Sequence, residues 1–148
     1  MKRIPRKLTL AIFAGVLALA VTATAQVYKY YSPGTIWTVT TIRVQPGMDP
    51  AYLAYLDRDF KKESDAQVKG GYMKSYKILR TLDDDSSWNF IVLREYKSLA
   101  AMEADTEKSD ALSQRVMGND NMQMQGYEGR SKFREVLATK TARELILK

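Results

Sequence analysis

The sequence predicts a single α+β domain whose elements follow one another in the order β-α-β-β-α-β. Three observations predict this order: short runs rich in β-branched and aromatic residues, two longer runs with apolar residues at helical spacing, and an apolar C-terminal run. Pro-Gly, Gly-Gly and Asp-rich stretches separate these runs. The chain of 148 residues fits one domain, because no linker or internal repeat divides it after residue 25.

Residues 1–25 have the composition of a secretory signal peptide. A basic start without acids (residues 2–7) is followed by an apolar stretch (residues 8–21) and by Ala23-Thr24-Ala25, a small-residue cleavage site. Cleavage after Ala25 predicts a periplasmic or secreted protein that has no membrane association once the leader is removed. The alternative is a retained membrane anchor. It is less favoured because crossing a bilayer takes about 20 apolar residues, and the apolar stretch covers only residues 8–21.

Most of the excess positive charge lies in this leader. The formal net charge is +6, but four of the 23 bases lie in residues 2–7, which leaves 19 bases against 17 acids. We therefore expect no nucleic-acid partner, since a nucleic-acid binder keeps a basic surface. The chain contains no histidine and no cysteine, which excludes thiol nucleophiles and Ser-His pairs. We expect neither a metal site nor a cofactor.

The first strand and the first helix follow the leader. Residues 26–34 are a tyrosine-rich lead-in. Thr35–Val44 predicts a strand because it is dense in β-branched and aromatic residues, and Gln45-Pro46-Gly47 ends it. Asp49-Pro50 opens a helix with aspartate as the N-cap, and Gly70-Gly71 closes it. The apolar face of this helix consists of Tyr52, Leu53, Leu56 and Phe60.

A hairpin, a second helix and a last strand complete the domain. Tyr72–Leu82 and Trp88–Tyr96 predict two strands joined by a polar turn of aspartates and serines. A second helix follows, and the Asn-, Gln- and Gly-rich residues 118–129 predict its end and a loop. Residues 131–147 predict the last strand, with a break near Thr141 because this run exceeds the usual strand length.

This order of elements is that of the split βαβ unit of ferredoxin-like domains. We expect an antiparallel sheet within residues 35–148, with both helices on one face. Along the third strand, Phe90 and Val92 point to one face of the sheet. Ile91 and Leu93 point to the other, so both faces are apolar and the helices leave one of them open. A second copy, packed sheet against sheet, would cover it, and we predict a homodimer.

Five motifs follow one another along roughly residues 35–147. They are Val44-Gln45-Pro46-Gly47, the pair Tyr52 and Phe60, Gly70-Gly71-Tyr72, Trp88-Asn89-Phe90, and Tyr96-Lys97-Ser98-Leu99-Ala100-Ala101-Met102. In this order the chain resembles the dimeric α/β-barrel superfamily, especially its antibiotic-biosynthesis-monooxygenase-like, NIPSNAP-like and stress-responsive barrel members. The resemblance implies a dimeric α/β barrel. That superfamily includes cofactor-free oxygenases, small-molecule binders and heme enzymes, but its heme enzymes use a histidine that this chain lacks.

Six side chains on or beside the predicted strands are candidates for a ligand pocket: Trp37, Tyr72, Tyr76, Trp88, Asn89 and Arg94. Aromatic walls with a few polar groups hold small organic ligands, although strand aromatics are also common in simple packing. We therefore predict an exported dimeric barrel protein that binds a small apolar or aromatic ligand inside the barrel. Two alternatives stay open: a cofactor-independent oxygenase-like enzyme, implied by the resemblance, and a structural or interaction protein that uses its sheet face. The sequence offers no clear catalytic residue.

Overall fold

The computed structural model describes residues 29–83, 87–104 and 106–148. The predicted leader and its cleavage site lie outside these residues. Residues 35–144 form one compact unit, and the described residues 29–34 and 145–148 belong to another. Within this second unit, the Lys148 amide donates to the Tyr30 carbonyl over 3.1 Å.

Four strands form one sheet. They are β1 Tyr31–Val44, β2 Ser75–Arg80, β3 Phe90–Tyr96 and β4 Arg134–Leu147. Their order across the sheet is β2-β3-β1-β4, and β3 runs antiparallel to both β1 and β2. This order is that of a ferredoxin-like domain. The two strands of each βαβ unit lie apart, and one strand of the other unit lies between them: β3 between β1 and β2, and β1 between β3 and β4. The predicted antiparallel α+β arrangement is confirmed.

Helical segments connect the strands. They are α1 Asp49–Tyr55, a π-helical segment Leu56–Phe60, α2 Lys61–Lys69, α3 Leu99–Ala104, α4 Thr106–Met117 and α5 Asp120–Ser131. In the π-helical segment the Lys61 amide bonds to the Leu56 carbonyl, five residues back. The wider turn brings side chains five positions apart, such as Tyr55 and Phe60, nearer to the same side than an α-helix would.

The first helical run starts and ends close to where the sequence predicts. Asp49 and Pro50 lie in the first turn, although Met48 holds the cap position. The Asp49 carboxylate forms an ion pair with Arg80 of β2. After α2 the chain turns at Gly71, whose φ is +79°, a left-handed conformation that glycine adopts without steric cost.

Residues 118–129 are mostly helical, so the predicted loop was wrong there. The Asn119 side chain accepts a hydrogen bond from the Met122 amide over 3.1 Å and caps α5. Gly118, with a φ of +99°, separates α5 from α4. The glycines at 126 and 129 lower helix propensity but do not prevent the helix.

The strand bounds also differ from the prediction. β1 begins at Tyr31 and β2 covers only Ser75–Arg80. β4 runs unbroken through Thr141 to Leu147, so the predicted break was wrong. β4 lies beside β1, and each of these two strands has 14 residues. A long neighbouring strand supplies the backbone hydrogen-bond partners that a long strand needs.

The core lies between the first helical run and one face of the sheet. Its buried members are Ile42, Val44, Tyr52, Leu56, Phe60, Phe90 and Val92. Phe90 is 1% exposed, and its ring meets that of Tyr52 edge to face, with 4.8 Å between ring centres. The helices therefore cover the face that carries Phe90 and Val92, and the face that carries Ile91 and Leu93 is the open one.

Candidate functional site

A cavity of about 220 Å³ lies on the helix-covered side of the sheet. Its walls come from β1, β3, β4 and the helical residues around the π-helical segment. The lining residues are Thr40, Ile42, Tyr55, Phe60, Val92, Arg94, Arg134, Val136 and Thr139. Two arginines and two threonines thus share one space with aromatic and aliphatic side chains, and we call it the helix-face cavity.

Arg94 reaches this cavity through the alternation of β3. Side chains two positions apart in a strand share a face, so Arg94 lies on the same side as Phe90 and Val92. Its guanidinium lies 5.1 Å from the centre of the Phe60 ring, within the range of a cation–π contact. The strand therefore places a cation where its pattern would otherwise continue the apolar core.

Arg134 is the first residue of β4 and forms a second wall. Its guanidinium lies 5.1 Å from the Tyr55 ring centre and 5.6 Å from that of Tyr52. Among the described residues, no carboxylate lies within ion-pair distance of Arg94 or Arg134. Both cations are thus held against rings rather than against acids.

Tyr52 packs directly behind this wall. It is 0% exposed, and its ring stacks on that of Tyr55 with 5.9 Å between centres. Its hydroxyl has no hydrogen-bond partner within the described part of the chain, which is rare for a buried polar group. Burial raises the pKa of Tyr52, and the neighbouring Arg134 offsets only part of that effect. The hydroxyl therefore stays protonated at neutral pH.

The threonines of the cavity hydrogen-bond to each other. The hydroxyl oxygens of Thr40 on β1 and Thr139 on β4 are 3.0 Å apart, and either can be the donor. Each hydroxyl has one proton and two acceptor sites. One of the two protons therefore remains available to a further acceptor.

The six residues that the sequence singled out do not share one site. Arg94 lines the helix-face cavity and also a second cavity, of about 270 Å³, which Tyr72 lines as well. Trp88 and Asn89 line a third cavity, of about 590 Å³, near one end of β1 and β3. The remaining two lie elsewhere.

Those two residues lie on opposite faces of the sheet. Trp37 is on the open face, with the Lys77 ammonium 5.8 Å from its ring centre. Tyr76 is on the helix-covered face, where its ring meets the Phe60 ring at 5.5 Å and its hydroxyl donates to Asp65 over 2.7 Å.

Asn89 has a structural role in the sheet. Its side-chain oxygen accepts from the Val44 amide over 2.8 Å, and its side-chain nitrogen donates to the Val44 carbonyl over 3.2 Å. The side chain thus extends the pairing of β1 and β3 beyond the last backbone pair, Ile42 with Phe90.

The second cavity lies where α2, α3 and α4 meet, and four of its polar side chains are bonded to one another. The Gln67 side chain donates to the Ser113 hydroxyl over 2.9 Å and accepts from the Ser109 hydroxyl over 3.0 Å. The Ser113 hydroxyl in turn donates to Glu63 over 2.9 Å. This network is typical of a polar helix–helix contact.

Three charged residues of the third cavity also have partners. Arg80 pairs with Asp49, and Arg43 donates to the Ser87 carbonyl over 3.1 Å and to Glu135 over 3.3 Å. Residues 84–86 lie outside the described residues. The helix-face cavity differs from the other two because its lining combines two guanidinium groups with no carboxylate.

Sequence reasoning missed Thr40, Tyr55, Arg134 and Thr139. The apolar helix face included Tyr52 and Phe60 but not Tyr55, because α-helical spacing does not put Tyr55 beside Phe60. Arg134 and Thr139 belong to a strand whose pairing the sequence left open.

The described residues offer neither a metal-binding cluster nor a membrane-spanning helix. No group of three or more acidic side chains there is placed to hold a metal ion. No helix in the same residues has the length and apolar character to cross a membrane.

Comparison with known proteins gives a fold. No family profile matches the sequence, and no curated protein matches it. A dimeric ferredoxin-like protein from an uncultured marine organism has a TM-score of 0.50 at 13% identity, with 79% of this chain and 98% of that chain covered. HapK from Hahella chejuensis has a TM-score of 0.49 at 12% identity (74% and 91% covered). A NIPSNAP family protein with unknown function from Agrobacterium tumefaciens has 0.47 at 12% identity (78% and 90% covered).

At these identities the likeness concerns the fold alone. The strand order β2-β3-β1-β4 of this chain is that of a ferredoxin-like domain. The similar marine protein is also described as ferredoxin-like. The resemblance seen in the sequence is thus confirmed at the level of architecture, and the chain has the ferredoxin-like fold.

Proposed function

We propose that the chain is an exported homodimeric protein that binds a small aromatic molecule in the helix-face cavity. The observation that carries the proposal is the composition of that cavity. Rings and aliphatic side chains form most of its walls, and two arginines without an acidic partner among the described residues lie in the same space. Mostly apolar walls with a few convergent polar groups are the common design of small-molecule sites.

The volume of the cavity sets the size of the ligand. Its roughly 220 Å³ exceed the roughly 150 Å³ of an engineered cavity that takes up benzene. They fall below the range of about 300–1,000 Å³ that holds drug-sized molecules. A compound with one or two rings fits these limits.

The polar groups of the cavity favour binding over acid–base catalysis. A guanidinium stays protonated at any physiological pH, and a threonine hydroxyl needs an adjacent base to act as a nucleophile. The lining includes no such base. A binding role is therefore the first candidate, and recovery of the ligand chemically unchanged after incubation would separate it from an oxygenase-like activity.

We propose that a second copy covers the open face of the sheet. The apolar side chains of that face are Trp37, Val39, Leu79, Ile91 and Leu93. None of them is part of the buried core, and Leu79 is 49% exposed. Val39 lies opposite Leu93 in the register, so the patch is continuous across strands, as interfaces are. The dimeric state named for the similar marine protein supports the same arrangement.

We propose export on the basis of residues 1–25, whose basic start, apolar stretch and Ala23-Thr24-Ala25 site form a signal peptide pattern. Expression of the full chain in a Gram-negative host tests this. Mass spectrometry of the periplasmic fraction should find a protein that begins at Gln26. Uncleaved chain in the membrane fraction would contradict it.

The ligand proposal is tested with a library of one-ring and two-ring aromatic compounds, charged and neutral. We expect at least one compound to raise the thermal unfolding temperature and to bind once per subunit by calorimetry. Val136→Trp should abolish that binding because Val136 lines the cavity. Val68→Trp, at an exposed position of α2 outside the cavity, should retain it. Absence of any binder, or equal binding by both variants, would refute the proposed site.

A further inference from the structure

We propose that the ligand of the helix-face cavity is an anion, an aromatic ring that carries a carboxylate, and that Arg94 and Arg134 bind its oxygens. This inference rests on the proposed function and adds the charge of the ligand to it.

The charge of the cavity is unbalanced. Its lining contains two guanidinium groups and no carboxylate. Three other arginines of the described chain pair with acids: Arg43 with Glu135, Arg58 with Asp59, and Arg80 with Asp49. Arg94 and Arg134 have no acid within ion-pair distance among the described residues, and they line one cavity together. An anion in the cavity would supply the missing counter-charge.

Aromatic rings lie against both guanidinium groups. Phe60 lies beside Arg94 and Tyr55 beside Arg134, each with 5.1 Å from the guanidinium carbon to the ring centre. The five N–H donors of a guanidinium lie in its plane, so a cation–π contact through its face does not consume them. A donor that points into the cavity suits a planar acceptor, and a carboxylate matches the geometry of a guanidinium.

The rest of the lining fits the remainder of such a molecule. Ile42, Val92 and Val136 form aliphatic wall on the sheet side, which suits an aromatic ring. The Thr40–Thr139 pair keeps one hydroxyl proton for a further acceptor. The ring of such a molecule would pack on the aliphatic side chains, and its acidic group would bind the arginines. A neutral hydrocarbon would leave the two arginines without a counter-charge.

The test compares cinnamate with cinnamamide, which has the same shape but no charge. By calorimetry at low ionic strength, we expect cinnamate to bind at least about tenfold more tightly than cinnamamide. Arg94→Gln and Arg134→Gln should each weaken cinnamate binding about tenfold or more and leave cinnamamide binding unchanged. Arg143→Gln, at an exposed position of β4 outside the cavity, should bind cinnamate like the unchanged protein.

The ionic strength dependence keeps the test valid if an arginine variant does not fold. In the unchanged protein, salt should weaken binding of cinnamate and not of cinnamamide. Equal binding of the two compounds, with no effect of salt, would overturn the anionic ligand while the proposed function stands. Failure of both compounds to bind, together with failure of the aromatic library, would overturn the proposed function as well.

Discussion

The guanidinium of Arg94 lies 5.1 Å from the centre of the Phe60 ring, and this contact joins β3 to the π-helical segment. Phe60 is 3% exposed, so the core fixes the ring that supports the cation. The arginine is positioned by apolar packing and not by a carboxylate. A cation held in this way keeps its charge available to a ligand, and the π-helical turn helps to bring Phe60 and Tyr55 to the same cavity.

The two faces of β3 predict opposite effects of the same substitution. Phe90→Asp with Val92→Asp buries two carboxylates in the core, where loss of a Phe side chain alone costs about 3–5 kcal/mol, and the subunit should unfold. Ile91→Asp with Leu93→Asp changes only the open face, so we expect a folded monomer. Light scattering after gel filtration, with circular dichroism, measures both. A monomeric unchanged protein at micromolar concentration would contradict the dimer, and unfolding of both variants would contradict the assignment of the faces.

Asn89 stabilises the sheet through its two bonds to Val44. Asn89→Ala leaves the amide and carbonyl of Val44, which is 3% exposed, without their partner, and should lower the free energy of unfolding by about 1–3 kcal/mol. Asn89→Asp keeps an acceptor for the Val44 amide but sets a second carboxylate oxygen against the Val44 carbonyl, so it should destabilise as well. Urea denaturation measures these changes. Unchanged stability with loss of ligand binding would instead support the ligand-pocket role that the sequence suggested.

Two glycines predict opposite effects of alanine. Gly71 has a φ of +79° and no atom within 4 Å of an added methyl group, so Gly71→Ala should destabilise by about 1–2 kcal/mol through backbone strain alone. Gly129 lies in α5, its φ is not positive, and it has the same open surroundings. Gly129→Ala should therefore stabilise by about 0.4–1 kcal/mol. Thermal unfolding of the two variants compares them, and a gain of stability from Gly71→Ala would contradict the turn geometry.

Glu95 makes stability depend on acid. It is 8% exposed and accepts hydrogen bonds from the Lys74 ammonium over 2.7 Å and from the Ser75 hydroxyl over 2.5 Å. Burial alone would raise the pKa of Glu95, but these bonds hold it below its usual value of 4.5. Its contribution to stability is therefore present above that value and is lost as the pH falls through the lower pKa of the folded state.

The matching experiment follows the urea midpoint from neutral pH to about pH 3. Glu95→Gln should reduce the loss of stability in acid, whereas Glu103→Gln, at an exposed position of α3, should leave it as it is. Equal acid sensitivity of Glu95→Gln and the unchanged protein would exclude Glu95 as the cause.

The fold could be predicted because its signals are local. The two-sided apolar pattern of Phe90 to Leu93 indicated a strand with apolar side chains on both faces of the sheet, and Gly70-Gly71 marked the end of the first helical run. The loop predicted at residues 118–129 was wrong because the Asn119 cap outweighs the weak propensity of the glycines.

The candidate site could be predicted only for Arg94. Arg134 and Thr139 reach the cavity through the pairing of β4 with β1, which is a long-range contact with no local sequence signal. Tyr55 joins Phe60 through a π-helical turn, which helical periodicity does not detect.

Methyl-labelled NMR of the unchanged protein, with and without saturating cinnamate, tests whether the ligand binds on the helix-covered side of the sheet. Ring currents shift only methyl groups close to the ring. Binding in the helix-face cavity should shift the methyl groups of Ile42, Val92 and Val136, which line it, and leave those of Val39 and Leu93 on the open face unshifted. Shifts at Val39 and Leu93 with unchanged Ile42 and Val92 would instead place the ligand inside a dimeric barrel and contradict binding in the helix-face cavity.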